Sequence, residues 1–343
     1  KFNQKKNKSP KMKKKILITT GGSGGHVLPA ITIYDHLKVE YDVLISTDLR
    51  GYKYLDSDIY KVFVVNTPKL NKLILLPFAI IKVFFLTLKS LFLLKREKIE
   101  ILISTGGYMS LPLCLAAKMR NIKIFLLEPN MIIGRANRFF LNFCEKIICY
   151  DSNIISFPNK FQNKLKILHP LIRKKYFDMN YKADVDRIFT IIIIGGSQGA
   201  KIFDEIVHES ILKISKIKPL KIIHQTNKKN VDFLKKFYTD NKIENIIFDF
   251  DENLNVLLEQ ADLCITRAGA SSLAEISLLN IPFIAIPLPT SKDNHQLKNA
   301  NYYKDKNCCW IIDQITFDRV KFETLLLDIL NNKDDFSEKK KNL

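Results

Sequence analysis

Short runs of β-branched and aliphatic residues alternate along the chain with longer stretches of helical length and spacing. A short apolar run bounded by polar or glycine-rich turns predicts a buried strand. Near-continuous apolar strands that alternate with helices predict parallel sheets covered on both faces. The first series of predicted strands comprises residues 15–20, 42–47, 62–66, 101–105, 124–128 and 146–150. The second series comprises residues 189–194, 221–226, 246–250, 263–266 and 283–287.

The length of 343 residues suits about two domains, and the strand pattern restarts after residues 168–187, which are polar and weakly periodic. We expect a disordered basic tail over residues 1–14, an N-terminal domain over 15–168, a linker over 169–187 and a C-terminal domain over 188–343. The predicted fold class is α/β, with two doubly wound parallel-sheet (Rossmann-like) domains and a ligand site in the cleft between them.

Each predicted domain opens with a strand that runs into glycines and then into a helix. The first turn is GGSGGH at residues 21–26, and the second is GGSQGA at residues 195–200. Glycine lets the backbone approach a ligand closely, and the N–H groups of a helix start attract phosphates. Neither turn has the spacing of a dinucleotide fingerprint or the Lys-Ser/Thr pair of a Walker loop, which disfavours NAD enzymes and P-loop ATPases. Plain tight turns of an α/β fold are the alternative.

His26 follows the first glycine turn at the predicted start of a helix. A side chain there lies at the carboxyl ends of the strands, where doubly wound sheets bind ligands. A neutral imidazole with an ordinary pKa can accept a hydroxyl proton at pH 7, which typically contributes ~10²–10⁴ in rate. We therefore interpret His26 as a general base, although an isolated histidine is more often structural.

Four further motifs fall at predicted loops: STGGYMSLP at residues 104–112, EPNMIIGRANR at 128–138, TRAGASSLAE at 266–275 and NHQLKNA at 294–300. Glu275 lies three residues after Ser272 at a helix start, which is the spacing of a capping box. The alternative is that the Glu275 carboxylate accepts two hydrogen bonds from ribose hydroxyls. The polar residues of NHQLKNA either form a solvated face or contact a sugar.

Composition adds a formal charge of +19, from 54 Lys and Arg against 35 Asp and Glu. Eight of these charges are lysines of residues 1–15, so the rest of the chain still carries +11. Such a surplus suits nucleic acid, an acidic lipid surface or a phosphorylated small molecule. The six cysteines form no CxxC pair, which predicts buried, reduced thiols of a cytoplasmic protein. No signal-peptide pattern follows Met12, which is a candidate start of translation.

Residues 73–94 form a mostly apolar run that is long enough to span a bilayer. Pro77, Lys82 and Lys89 oppose spanning, because a lysine near the bilayer centre costs roughly 2.5–3.5 kcal/mol. The two lysines are seven residues apart and share one face of a helix, and further basic residues flank the run. This pattern favours an interfacial helix in the headgroup region over a buried helix of the first domain.

Six motifs, GGSGGH, STGGYMSLP, EPN with GRANR, GGSQGA, TRAGASSLAE and NHQLKNA, occur in the order and spacing of the MurG family, which the sequence resembles over about residues 13 to 330. The resemblance implies the glycosyltransferase B fold and an inverting, metal-independent transfer without a cofactor. It makes residues 15–168 the acceptor and membrane-docking domain and residues 188–343 the UDP-sugar-binding domain. The implied donor is UDP-N-acetylglucosamine, and the implied acceptor is the C4 hydroxyl of the muramyl sugar of undecaprenyl-pyrophosphoryl-MurNAc-pentapeptide (lipid I). The implied location is peripheral, on the cytoplasmic side of the cell membrane, with no nucleic-acid partner.

Carried over position by position, the resemblance makes His26 the catalytic base, Ser197 a phosphate contact, Asp251 a uracil contact through its backbone and Gln296 a contact to the sugar hydroxyls. The full set of implied substrate-binding residues is Thr20, Gly21, Gly22, Asn130, Arg173, Ser197, Asp251, Ala270, Ser271, Ser272, Leu273, Ala274, Glu275 and Gln296. The sequence departs from the family at Leu127 and Pro129, where many members have His and Gln. It also ends before the helix that in the family returns to the N-terminal domain.

Two other functions stay open at this point. A diacylglycerol glycosyltransferase of the same fold would share the glycine turns and the membrane patch, although NHQLKNA and the EPN with GRANR pairing favour the MurG family. A basic nucleic-acid-binding protein is the least favoured, because the sequence has no aromatic-interleaved basic strand and no recognition-helix motif. No Asp-x-Asp follows a predicted strand, which weakens a metal-dependent alternative.

Overall fold

A computed structural model describes residues 13–68, 76–177, 187–196, 201–251 and 253–343. The chain forms two compact units. The first unit comprises the chain up to Glu128 together with Gly134–Cys149 and Phe157–Ile167, and the second comprises Pro129–Ile133, Tyr150–Ser156 and Leu168–Leu343. The domain limits expected from the sequence stay predictions. Residues 169–177 of the expected linker belong to the second unit, and residues 178–186 and 1–12 lie outside the described residues.

The first unit is built on one parallel sheet of seven strands. The strands are β1 (Lys15–Thr19), β2 (Asp42–Thr47), β3 (Val62–Val64), β4 (Ile101–Ser104), β5 (Lys123–Glu128), β6 (Lys146–Cys149) and β7 (Leu165–Ile167). Their order in the sheet is β3-β2-β1-β4-β5-β6-β7. The helices are α1 (Gly24–Leu37), α2 (Leu49–Tyr52), α3 (Leu76–Arg96), α4 (Leu111–Met119) and α5 (Arg135–Phe140).

The central strands of this sheet are apolar along their length because both of their faces are covered. Leu17 of β1 pairs with Leu44 on one side and with Leu102 on the other, and all three side chains are buried. The strand order reverses between β1 and β4, which places a topological switch point at their carboxyl ends.

The second unit repeats this plan with six parallel strands. The strands are β8 (Thr190–Ile194), β9 (Lys221–Gln225), β10 (Glu244–Phe248), β11 (Leu263–Thr266), β12 (Phe283–Ala285) and β13 (Cys309–Ile311), in the order β10-β9-β8-β11-β12-β13. The helices are α6 (His208–Ser215), α7 (Val231–Asp240), α8 (Leu254–Glu259), α9 (Ala270–Leu278), α10 (His295–Asp305), α11 (Arg319–Asn331) and α12 (Lys333–Asn342). A π-helical turn, Phe203–Val207, leads into α6. The switch point of this unit lies between β8 and β11.

The predicted class of two α/β units on parallel sheets is confirmed. All eleven predicted strands are present, and their bounds differ from the predicted ones by at most two residues at either end. The structure adds two strands that the sequence pattern missed, β7 and β13, each of three residues at a sheet edge. All six cysteines are free and buried, as their spacing predicts.

The predicted apolar helix is α3, and residues 73–75 of the run lie outside the described residues. Among the described residues, α3 is the one helix long and apolar enough to cross a membrane by length and composition. Its buried face is made of Ala79, Val83, Thr87, Ser90 and Leu94, and it packs against α4. Six of its large apolar side chains are exposed instead: Phe78, Ile80, Ile81, Phe84, Phe85 and Phe92.

Candidate functional site

The first unit brings its predicted glycine loop and its predicted base together at the switch point. Gly21 and Gly22 follow β1 with φ of +151° and +85°, a region that L side chains rarely adopt. Thr20 is buried beside them, and its Oγ1 accepts a hydrogen bond from Thr105 Oγ1 at 2.8 Å. The loop leads directly into α1, whose third residue is His26.

His26 is oriented by the loop that follows β4. Its Nδ1 lies 2.8 Å from the carbonyl oxygen of Thr105. A carbonyl oxygen can only accept a hydrogen bond, so Nδ1 carries the hydrogen and the neutral ring has its lone pair on Nε2. Nε2 faces Gly107, because a Cβ at that glycine would lie 3.5 Å from it. The ring is therefore held in the tautomer that a base acting through Nε2 requires.

Asp48, which lies outside the predicted motifs, holds the glycine loop. Its Oδ1 accepts hydrogen bonds from the backbone of Gly22 at 2.8 Å and of Gly51 at 3.0 Å. Its Oδ2 accepts from Arg50 Nε at 2.9 Å and Nη2 at 2.7 Å, and the same Nη2 donates to the Tyr108 hydroxyl. Burial raises the pKa of Asp48, but the hydrogen bonds from Gly22, Arg50 and Gly51 outweigh burial and lower its pKa below the ordinary value.

The position of Asp48 in the chain carried a signal that points to this role. It is the first residue after β2, and β2 is the neighbour of β1 in the sheet. The carboxyl ends of adjacent parallel strands meet at one edge, so a carboxylate at the end of β2 lies beside the loop that ends β1.

A second carboxylate organises the EPN with GRANR segment. Glu128 ends β5 and is 3% exposed, and its Oε2 accepts hydrogen bonds from the Gly134 backbone at 2.7 Å and from Asn137 Nδ2 at 2.9 Å. The same Asn137 amide donates to the Leu127 carbonyl at 3.0 Å. The bond at Leu127 uses the backbone, so the departure from the family's side chain there leaves this contact in place.

The second unit presents its candidate anion site at the switch point between β8 and β11. Gly196 follows β8 with φ of +75°, and a Cβ there would meet no atom within 4 Å. Across the switch point, α9 begins at Ala270 after the Gly269 cap, and no side chain caps it. The backbone N–H groups of Ala270, Ser271 and Ser272 have no intrahelical acceptor and suit phosphate oxygens. Ser197 lies outside the described residues.

The next residues of α9 serve different roles. Leu273 and Ala274 are buried and pack in the core of the second unit. Glu275 is 7% exposed and binds Arg173 through both oxygens: Nε donates to Oε1 at 2.7 Å, and Nη2 donates to Oε2 at 2.8 Å. Tyr176 donates its hydroxyl to the same Oε2 at 2.9 Å. The carboxylate therefore serves an ion pair, and Ser272 is not its cap partner because the cap residue of α9 is Gly269.

Burial and the Glu275 charge act in opposite directions on the pKa of Arg173. Burial lowers the pKa of Arg173, but the hydrogen bond and the charge of Glu275 raise it above the ordinary value, so the guanidinium stays charged. Burial also raises the pKa of Tyr176, and the nearby Glu275 charge raises it further, so its hydroxyl stays protonated. Two predicted residues, Arg173 and Glu275, are thus in direct contact, and Tyr176 is a partner that the sequence did not indicate.

The other predicted residues that the structure describes in the second unit form hydrogen bonds within that unit. Asn130 accepts a hydrogen bond from Asn299 Nδ2 at 3.1 Å through its Oδ1, and the same amide donates to the Ala268 carbonyl at 3.1 Å. Gln296 accepts from the Leu288 backbone at 2.8 Å. The Asp251 side chain accepts from the backbone of Asn253 at 2.6 Å, so it turns back on its own loop.

Within the described residues, no three or more His, Cys, Asp or Glu side chains form a group that could hold a metal ion. The candidate chemistry consists of an oriented imidazole in the first unit, and of glycine and helix-start N–H donors with a paired Arg and Glu in the second.

Two family models match the chain. The glycosyltransferase family 28 N-terminal domain matches residues 16–149, and the glycosyltransferase family 28 C-terminal domain matches residues 190–343. A protein of Pelagibacter ubique (strain HTCC1062) is 47% identical over 334 residues, which cover 97% of this chain and 94% of that protein. It is a UDP-N-acetylglucosamine–N-acetylmuramyl-(pentapeptide) pyrophosphoryl-undecaprenol N-acetylglucosamine transferase. A protein of the same name from Rickettsia bellii (strain RML369-C) is 33% identical, over 96% of this chain and 94% of its own.

Solved structures share the architecture. The crystal structure of MurG from Acinetobacter baumannii aligns with a TM-score of 0.76 and 22% identity, over 96% of this chain and 94% of that one. The kitacinnamycin glycotransferase aligns with a TM-score of 0.71 and 12% identity, over 97% and 95%. These likenesses and the two family 28 domains confirm the predicted glycosyltransferase B fold.

Proposed function

This chain belongs to the MurG family within glycosyltransferase family 28, and we propose that it transfers N-acetylglucosamine from UDP-N-acetylglucosamine to lipid I, giving lipid II for peptidoglycan synthesis. The observation that carries this function is the 47% identity to the Pelagibacter ubique transferase over 97% of the chain. The residue roles that follow are our proposal, and the geometry of each unit supports them.

His26 acts as the base that activates the acceptor. Its Nε2 takes the proton of the muramyl C4 hydroxyl while that oxygen bonds to C1 of N-acetylglucosamine. The bond between C1 and the β-phosphate oxygen breaks, UDP leaves with the electron pair, and the configuration at C1 inverts. The hydrogen bond from Nδ1 to Thr105 supports this role because it fixes the tautomer with the lone pair on Nε2.

The second unit binds the donor and takes up the charge of the leaving group. The N–H groups at the start of α9 and the backbone after β8 face developing negative charge on the diphosphate, where fixed donors act without reorganisation. Ser197 and Gln296 are proposed contacts to the phosphate and to the sugar, and Asp251 contacts the uracil through its backbone. Glu275 binds the ribose. We expect neither metal nor cofactor, so a chelator should leave the rate unchanged.

The first unit docks on the cytoplasmic face of the membrane through α3. Phe84, Phe85 and Phe92 are 59%, 58% and 74% exposed, which is unusual for large apolar side chains on one soluble helix. The exposed Lys82 and Lys89 lie on the same helix, and on an anionic leaflet each nearby cation adds about 1 kcal/mol. This placement would bring the enzyme to its polyprenyl-linked acceptor, and nucleic acid has no part in it.

The test of the activity is transfer of labelled N-acetylglucosamine to a lipid I analogue and, in parallel, to diacylglycerol. We expect product with the lipid I analogue alone, and product with diacylglycerol alone would overturn the acceptor. His26→Ala should lower kcat by at least about a hundredfold while UDP affinity stays near that of the parent protein. His36→Ala, at an exposed position on the same helix, is the matched control and should keep the rate. An unchanged rate for His26→Ala would remove His26 as the base.

The test of the membrane placement is co-sedimentation with vesicles that contain phosphatidylglycerol. Burying one phenylalanine contributes about 1.5–3 kcal/mol, so replacing Phe84, Phe85 and Phe92 with Ser should lower binding by more than about a hundredfold. UDP affinity should not change. The control replaces Ile217, Ile315 and Val320, which are exposed apolar residues of the second unit, with Ser. Equal loss in both triple variants, or none in the first, would contradict docking through α3.

A further inference from the structure

The contact between Arg173 and Glu275 limits how many further hydrogen bonds the Glu275 carboxylate can accept. This limit matters because both residues are expected to contact the donor nucleotide. A carboxylate offers about four lone-pair sites for hydrogen bonds. Arg173 and Tyr176 already occupy three of them, one on Oε1 and two on Oε2. One site is left, on Oε1.

A ribose presents two neighbouring hydroxyls, and two bonds from them exceed the remaining capacity of Glu275. At least one bond to Arg173 or Tyr176 must therefore be given up when both hydroxyls bind. Tyr176 is 3% exposed and packs in the core of the second unit, so its ring is held on all sides. The Arg173 side chain is 17% exposed and can turn toward solvent, so it is the partner that moves.

The released guanidinium has a use at this place. The diphosphate of a UDP-sugar carries the negative charge that Arg173 loses when it leaves Glu275, and a guanidinium binds phosphate oxygens with two donors at once. The start of α9, where N–H groups suit phosphate oxygens, lies within two turns of Glu275 on the same helix. Ribose and diphosphate of one donor molecule thus compete for opposite members of the same ion pair.

We propose that Glu275 holds Arg173 away from anions until ribose hydroxyls displace it, and that the released Arg173 then binds the diphosphate while Tyr176 keeps Glu275 in position. This inference rests on the proposed function, since it takes Glu275 as the ribose contact. It makes recognition of the nucleoside and of the diphosphate cooperative. A bare diphosphate binds poorly because its cation is occupied, and the complete donor binds well.

The test needs no variant in its first part. Affinity for inorganic pyrophosphate is measured by calorimetry on the full chain, alone, with saturating uridine and with saturating 2′,3′-dideoxyuridine. Linkage requires that a ligand which releases Arg173 tightens the binding of the other ligand by the same factor in both directions. We expect uridine to tighten pyrophosphate binding at least about fivefold, which is the lower end of typical coupling, and dideoxyuridine to leave it unchanged. Absence of coupling with uridine, or equal coupling with both nucleosides, would overturn the exchange.

Variants then identify the residues. Glu275→Gln should tighten pyrophosphate binding without uridine and weaken UDP binding, two effects of opposite sign that a merely structural role would not give. The gain for pyrophosphate should vanish when Arg173→Gln is added; if it persists, it reflects lost carboxylate charge and the proposal fails. Arg187→Gln, which breaks the Arg187–Asp262 pair of the same unit, is the matched control and should keep the uridine coupling. Unchanged UDP affinity in Glu275→Gln would instead refute the ribose contact of the proposed function, and the exchange with it.

Discussion

Asp48 offers the sharpest test of how the glycine loop that leads into His26 is held. It is 1% exposed, and Asp48→Ala would leave the N–H groups of Gly22 and Gly51 without their acceptor. A hydrogen bond to a charged group contributes about 1.5–3 kcal/mol, so the two bonds predict a loss of about 3–6 kcal/mol in the free energy of unfolding of the first unit. The Arg50 pair adds little, because that side chain is 45% exposed and exposed pairs contribute about 0–1 kcal/mol.

Part of this loss falls on the reaction. The Gly22 bond holds the loop that leads into His26, and its share of about 1.5–3 kcal/mol sets an upper limit of roughly 10- to 150-fold on the fall in kcat. Amide hydrogen exchange of peptides covering residues 20–26 should accelerate in Asp48→Ala, and steady-state transfer should give the fall in kcat. Arg50→Ala is the matched control and should show little of either effect. If Arg50→Ala matched Asp48→Ala, or if exchange stayed unchanged, the backbone bonds of Asp48 would not be what holds the loop.

Two further predictions concern stability. Gly22→Ala should lower the free energy of unfolding, measured in urea, by about 1–3 kcal/mol, because φ is +85° and a Cβ would lie 2.7 Å from the Met109 methyl carbon. Gly25→Ala is the control, since this helical position has room for a Cβ, and it should be neutral or stabilising by up to about 1 kcal/mol. Equal losses in the two variants would contradict the backbone argument. Burial lowers the pKa of His208, so between the folded-state pKa and the unfolded-state pKa of about 6.5 the unfolded chain binds more protons than the folded chain. Lowering the pH through this range therefore lowers the free energy of unfolding. His208→Phe should therefore reduce the pH slope of the free energy of unfolding. The reduction should reach at most about 0.7 kcal/mol per pH unit at pH 6.5, where the unfolded histidine is half protonated, and up to about 1.4 kcal/mol per pH unit at lower pH, above the folded-state pKa. An unchanged slope would refute this.

The strands could be predicted because a strand of a parallel sheet is buried on both faces and is therefore apolar along its whole length. The run at β8 has five isoleucine or threonine residues, all of them buried. The two strands that were missed, β7 and β13, are three residues long and lie at sheet edges. In β7 two of the three residues are exposed, and in β13 only Cys309 is buried. The Leu-Lys-Ile sequence of β7 is not a continuous apolar run, and the apolar run at residues 308–312 that contains β13 is only five residues long. For such short segments, pairing with the neighbouring strand determines whether a strand forms.

The site could be predicted to the level of motifs but not to the level of contacts. Arg173 and Glu275 were each identified from the sequence, yet their ion pair joins positions 102 residues apart and depends on how Tyr176 packs in the core. For Glu275, the capping-box spacing and the ligand role were both compatible with the sequence. The Gly269 cap excludes the capping box, and the ligand role stays a prediction. Because α9 is capped by Gly269, the Glu275 carboxylate takes no part in capping and binds Arg173.

The same limit explains why hydropathy could not decide between a core helix and an interfacial one for α3. Both uses require an apolar stretch of similar length, and they differ in which side chains face the protein. On α3 the inward face is made of small and medium residues, among them Ala79, Val83 and Ser90, which allow close approach to α4, while the phenylalanines point outward. A soluble core helix has the opposite arrangement, because large apolar side chains gain most from burial. The distribution of side-chain size between the two faces, rather than mean hydropathy, is the feature that supports membrane docking through this helix.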